Sequence, residues 1–153
     1  LGKGLENYKY LDTKIAGYTD YLQGLNKNIQ LSNVNIPFND FDEIEIELIK
    51  RLKDNDYDLV FVTNSRVSFA GEFFEKHPEY TKPYIIGFDF LPPNVTYLAK
   101  GIVDFLICQR PDKQGYLALN YLYRYFLMNK NVKKFKPMPI DILTKENYLF
   151  YEN

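Results

Sequence analysis

The chain of 153 residues has one cysteine, one histidine and no tryptophan. Cys108 alone excludes an intrachain disulfide and a multi-cysteine metal site, and points to a reducing compartment. His77, before Pro78 at a helix end, reads as a surface residue and has no cysteine at catalytic spacing. No glycine-rich phosphate loop and no G-x-S-x-G elbow occurs. Nothing here gathers metal ligands, so the expectation is a non-enzyme with no catalytic residue, no metal and no cofactor. Apolar runs all fall short of the ~18 residues that cross a bilayer, and no charged-then-apolar leader opens the chain, so the expected location is the cytoplasm. Excess charge is lacking too: 19 basic and 20 acidic residues leave a net charge of -1. A nucleic-acid-binding domain carries a basic excess or stripe. Lys133, Lys134 and Lys136, like Lys50, Arg51 and Lys53, read as solvated helix ends, so direct DNA contact by this chain is not expected.

What is present is alternation. Ile15, Tyr18, Leu22 and Leu25 recur at helical spacing, predicting a helix over 14–25 that stops at Gly24 and Asn26. Residues 34–36 are a short strand candidate closed by Pro37. Asn39 or Asp40 can cap a following helix, with Asp42 and Glu43 in its first turn. Residues 43–47 alternate, but the stripe Ile44, Leu48, Ile49, Leu52 favours helix. The acidic run Asp40, Asp42, Glu43, Glu45, Glu47 is then a solvated face. A continuous apolar strand is expected over 57–62, the pattern of a strand covered on both faces. Thereafter the reading is helix over 66–76, strand over 84–88, loop at 92–94, helical turn over 95–100, strand over 102–108, helix over 112–129 and strand over 138–143. Such alternation implies βαβ crossovers, a three-layer α/β/α domain and a mostly parallel sheet covered on both sides.

In open α/β sheets, ligands sit beyond the carboxyl ends of the strands. Three polar side chains fall there: Asn64, Asp89 and Gln109. Two amides and a carboxylate suit a polyhydroxylated ligand, whose hydroxyls both donate and accept. Lys14 adds a charged donor and Phe41 an aromatic face for a sugar ring. Each has a plainer reading. Asn64 can start its helix, Asp89 can serve as a cap, Gln109 can be a satisfied loop amide, Phe41 can be core and Lys14 surface. The case rests on three strand ends converging.

Four segments carry a family resemblance. Lys14-Ile15-Ala16-Gly17-Tyr18 resembles the Arg-x-x-Gly-aromatic opening of the second half of effector domains in the lactose-repressor/galactose-repressor family of transcription regulators. Val62-Thr63-Asn64-Ser65 is similar to its x-x-Asn-Asp stretch, and Ile85-Ile86-Gly87-Phe88-Asp89 to Val-Val-Gly-aromatic-Asp. The run from Gln109 through Pro111 to Gly115 resembles the Gln-x-Pro-x-x-x-Gly of that family and of its periplasmic sugar-binding relatives. The resemblance implies that Asn64, Asp89 and Gln109 take the places of sugar-hydroxyl ligands, with Phe41 near the stacking aromatic. Lys14 stands where arginine is usual and cannot make the same bidentate fork. Ser65 replaces the usual acid. By this resemblance residues 1–153 form a single effector-binding lobe of the periplasmic-binding-protein type I kind, the second half of a two-lobe domain. The first lobe and a DNA-binding helix-turn-helix are then absent from the chain, and the segments 1–13 and after Met138 lack their partners. The implied partners are a small sugar-like ligand, DNA only through the missing domain, no membrane, and a second copy in a homodimer. A transport or receptor protein of the same fold outside the cytoplasm is the first alternative. An α/β enzyme with its catalytic residues in the missing half is the second.

Overall fold

The computed structural model describes residues 5–25, 28–36 and 40–151. Its elements run in the order α1 (Leu5–Gly24), α2 (Phe41–Leu52), β1 (Leu59–Phe61), α3 (Val67–Lys76), β2 (Tyr84–Phe88), α4 (Pro92–Ala99), β3 (Phe105–Cys108), α5 (Pro111–Phe126) and β4 (Asp141–Leu143), with a short 3₁₀ turn at Tyr148–Phe150. The sheet order is β1-β2-β3-β4, with β1, β2 and β3 parallel and β4 antiparallel to β3. This is the expected α/β class with a mostly parallel sheet. The antiparallel edge arises because β4 returns along β3, pairing Leu143 with Leu106 and Asp141 with Cys108.

Local chemistry explains most boundaries. Asp40 caps α2, its carboxylate accepting from the Asp42 amide at 3.3 Å, and Lys50 and Arg51 close the last turn. Opposite charges at the two ends complement the helix dipole. Ile44 is buried, and Leu48, Ile49 and Leu52 pack against the core. In α3, Val67, Ala70, Phe73 and Phe74 form the buried stripe. Two corrections have clear causes. Helix α4 starts at Pro92 rather than after the prolines, since proline in the first helical turn gives up an amide that would have no partner there. Strand β3 starts at Phe105, not 102, because the Ile102 and Val103 amides bond to the Tyr97 carbonyl and close α4. Residues 34–36 form no strand; no neighbouring strand offers them a ladder among the described residues. Asn26, Pro37 and Asn39 lie outside the described residues.

Side-chain alternation along β2 separates the two faces of the sheet. Ile85 and Gly87 face α3, whose fully buried Val67 sits where a Cβ on Gly87 would be. Gly71 likewise lets α3 approach Tyr97 of α4. Phe88 faces the opposite way and meets α1. Tyr18 of that helix stacks on Phe61 at 4.8 Å, and Phe61 meets Phe88 edge-on at 5.7 Å. The core of Val67, Phe73, Ile85, Leu98, Val103 and Leu106 therefore lies between the sheet and α3–α4. Helix α5 departs from the expected two-sided cover: none of its residues is buried, and Tyr116, Leu119 and Phe126 are each about two-thirds exposed.

His77 is also not a bare surface residue. Its ring stacks on Phe73 at 4.6 Å, its Nε2 lies 3.0 Å from Glu45 and its Nδ1 2.9 Å from Glu79. Part of the acidic face of α2 is thereby engaged, since Glu47 also pairs with Arg51 at 2.8 Å.

Candidate functional site

Asn64, Asp89 and Gln109 follow the carboxyl ends of β1, β2 and β3, three consecutive parallel strands. Lys14 reaches the same edge from α1. Its Nζ donates to the Thr63 carbonyl at 2.9 Å and lies 3.3 Å from the centre of the Phe88 ring. That half-buried ammonium thus sits between the ends of β1 and β2. Four of the five sequence-derived candidates therefore share one edge of the sheet. Phe41 does not join them in its recorded contacts: its ring meets Phe69 at 6.2 Å and the Lys76 ammonium at 4.0 Å, both on α3.

The backbone at this edge is unusual. Asp89 has φ 72° and Arg110 φ 52°, left-handed values uncommon for a residue with a Cβ, which aspartate tolerates better than arginine. The Asp89 amide donates to the Ile107 carbonyl at 3.1 Å, tying the end of β2 to β3. Asn64 is exposed, and its side-chain oxygen accepts from the Arg66 amide at 3.0 Å, forming the turn that leads into α3. Asn64 does not itself start the helix, which begins at Val67 with Arg66 at the cap position, but this turn engages its oxygen. Gln109 is half-buried, and its carbonyl accepts from the Gln114 side chain at 2.6 Å.

Two residues at this edge escaped the sequence reading. Arg110 forks onto Asp141, its Nε 2.5 Å and Nη2 2.7 Å from the two carboxylate oxygens, and so clamps β4 beside Gln109. That hydrogen-bonded guanidinium holds the Asp141 carboxyl below the usual carboxylate range. Asn94 is fully buried and hydrogen-bonds to the turn after β1 and to the end of β2. A signal for it existed: Asn94 precedes the buried Leu98 by four residues, on the same helix face. Cys108, under the edge, is no nucleophile at ordinary pH, since burial, followed by the charges of Asp89 and Asp141, pushes its thiol up to about 12. Two shallow depressions, about 250 Å³ beside Tyr125–Asn131 and about 200 Å³ beside Tyr84 and Lys145, lie away from this edge.

A strand edge with a lysine, a carboxylate and two amides can grip hydroxyl groups. Residues 3–130 match the model of the family described as a periplasmic binding protein domain. The chain belongs to that family. Among solved structures it is similar to a protein of Bacteroides fragilis described provisionally as a LacI transcriptional regulator, with 29% identity and a TM-score of 0.79 over 93% of this chain and 49% of that one. It is also similar in fold to a Burkholderia graminis solute-binding protein of an ABC transporter in complex with D-arabinose, with 19% identity and a TM-score of 0.80 over 93% of this chain and 50% of that one. The glucose-galactose binding protein GanP of Geobacillus stearothermophilus matches at 24% identity and a TM-score of 0.60, over 71% of this chain and 38% of that one. No curated protein matches. The chain spans about half the length of the Bacteroides fragilis and Burkholderia graminis proteins. These relatives are binding and regulatory proteins, not enzymes. No helix among the described residues is long and apolar enough to cross a membrane.

Proposed function

We propose that this periplasmic-binding-protein-like chain is the effector-binding lobe of a cytoplasmic, dimeric transcription regulator, and that it senses a sugar-like molecule without catalysing a reaction. Ligand binding at the strand-end edge, with Asn64, Asp89, Gln109 and Lys14 as contacts, closes it against a second lobe. Closure changes the affinity of a DNA-binding domain outside this chain. A ligand shifts that equilibrium only by its differential affinity for the two states. The observation that carries the regulator reading is the likeness to the Bacteroides fragilis protein, which exceeds in identity the likeness to the sugar-binding proteins while covering as much of the chain. The uncovered apolar face of α5 supports a partner lobe, because exposed Tyr116, Leu119 and Phe126 make a surface that folded proteins normally bury.

The second reading, a sugar-binding protein serving transport outside the cytoplasm, is favoured by the D-arabinose and glucose-galactose relatives. Calorimetric titration of the full-length protein with a panel of monosaccharides, followed by DNA footprinting with and without the sugar that binds, separates the two. Sugar binding with a footprint that responds to sugar supports the regulator. Sugar binding without any footprint supports the transport protein, and no binding to any sugar refutes both.

A further inference from the structure

Asn94 is the only polar side chain fully buried among the described residues. A buried amide costs stability unless its donors and acceptor are matched. At Asn94 they are: the two hydrogens of its nitrogen are shared among the carbonyls of Ser65 at 3.0 Å, Phe88 at 3.0 Å and Asp89 at 3.1 Å, and its oxygen accepts from the Ser68 amide at 3.1 Å. Only one amide orientation serves this set, because every neighbour of the nitrogen is an acceptor and the neighbour of the oxygen is a donor. Its partners come from three separate segments: the turn after β1, the end of β2 and the first turn of α3. Ser68 is in that first turn, where amides have no partner within the helix, so Asn94 caps α3 from a different helix.

A residue needed only for packing would be apolar here, as Leu98 is one turn along the same face. We infer that Asn94 is a positioning residue, which fixes Asp89 and the Asn64–Ser65 turn relative to one another and so sets the geometry with which the strand ends meet a ligand. The left-handed backbone of Asp89 has its carbonyl held by Asn94 and by the Leu91 amide at 3.0 Å, and its own amide held by Ile107. Releasing the first of these lets Asp89 relax toward an ordinary conformation and turns its carboxylate away from its place at the edge. For its ligand arm, this inference rests on the proposed sugar binding.

The test uses Asn94→Leu, which keeps the branched shape and the number of heavy atoms and loses the hydrogen bonds, beside Leu98→Ala, which destabilises the same helix without touching the strand ends. Two quantities are read in the full-length protein: hydrogen exchange at the Ser68 and Asp89 amides, and affinity for the sugar identified from the monosaccharide panel. In Asn94→Leu both amides lose protection beyond what the melting temperature accounts for, and affinity falls about tenfold. That loss does not add to the loss from Asp89→Asn, because both act through one carboxylate. Leu98→Ala at comparable melting temperature keeps its affinity. Should Asn94→Leu fail to fold, Asn94→Ser is measured in its place. A variant that loses only melting temperature, with the two amides still protected and affinity intact, overturns the inference. If the wild-type protein binds no sugar at all, the proposed function fails, and the exchange at Ser68 and Asp89 alone decides whether Asn94 holds the edge together.

Discussion

Replacing Gly87 by alanine would put a methyl group into the space of Val67. The added carbon would lie 2.5 Å from Cγ2 and 2.6 Å from Cγ1 of Val67, and closer still to its Cβ. Carbon atoms pack at about 3.5–4.0 Å, so α3 and β2 must separate by about an ångström. Neither can do so easily, because Val67 and its neighbour Ile85 are fully buried. Overpacking of this kind costs about 1–3 kcal/mol. For a domain of this size a loss of about 2 kcal/mol lowers the melting temperature by about 4–8 °C. Val67→Ala should not rescue the variant, since the nearest atom is the Cβ that alanine retains. Thermal and urea unfolding followed by circular dichroism measure the effect. Sugar affinity should fall as well, because Val67 opens α3 directly after the Asn64 turn. A Gly87→Ala protein melting within about 1 °C of its parent would show that α3 backs away freely, and the close-approach argument would be wrong.

At Asp89, asparagine is the cleaner probe than alanine, because asparagine tolerates a left-handed backbone. Asp89→Asn should weaken sugar binding by about 2 kcal/mol, or roughly 30-fold, with the melting temperature unchanged, while Asp89→Ala should add a folding loss of about 1 kcal/mol; calorimetry and melting curves measured together distinguish these. His77 donates to two carboxylates only as the imidazolium, and its hydrogen bonds to Glu79 and Glu45 raise its pKa. Its stabilising contribution is therefore complete below the ordinary histidine pKa of about 6.5 and is lost as pH rises through the raised value; urea midpoints from about pH 6 to about pH 8.5 should decline in the parent and flatten in His77→Gln. On α5, Leu119→Glu should change the melting of this lobe by less than about 0.5 kcal/mol, since none of the helix is buried within it, yet it should weaken docking of a second lobe. A large melting loss in this lobe alone would show that α5 packs within it.

The bounds of α2, α3 and β2 were legible because their causes are local: a capping aspartate, an apolar stripe at helical spacing, and a run of apolar residues between proline and aspartate. Asn64, Asp89 and Gln109 were legible as neighbours for a different reason. Alternating strands and helices imply a parallel sheet, and residues just past parallel strands share one edge whatever the packing. Other features lay beyond any local pattern because they join distant parts of the chain. Asn94 reaches Ser68 across 26 positions, Arg110 reaches Asp141 across 31, His77 reaches Glu45 across 32 and Lys14 reaches Thr63 across 49. The same holds for β4, whose antiparallel direction depends on where α5 returns the chain, and for residues 34–36, whose strand-like sequence meets no partner strand among the described residues. The amino-acid sequence by itself determined the α/β class and the edge at which polar groups gather, because backbone alternation and side-chain periodicity are short-range properties. The tertiary structure alone decided which groups hold that edge in shape, because a buried amide or an ion pair depends on partners that only the completed fold brings within hydrogen-bonding distance.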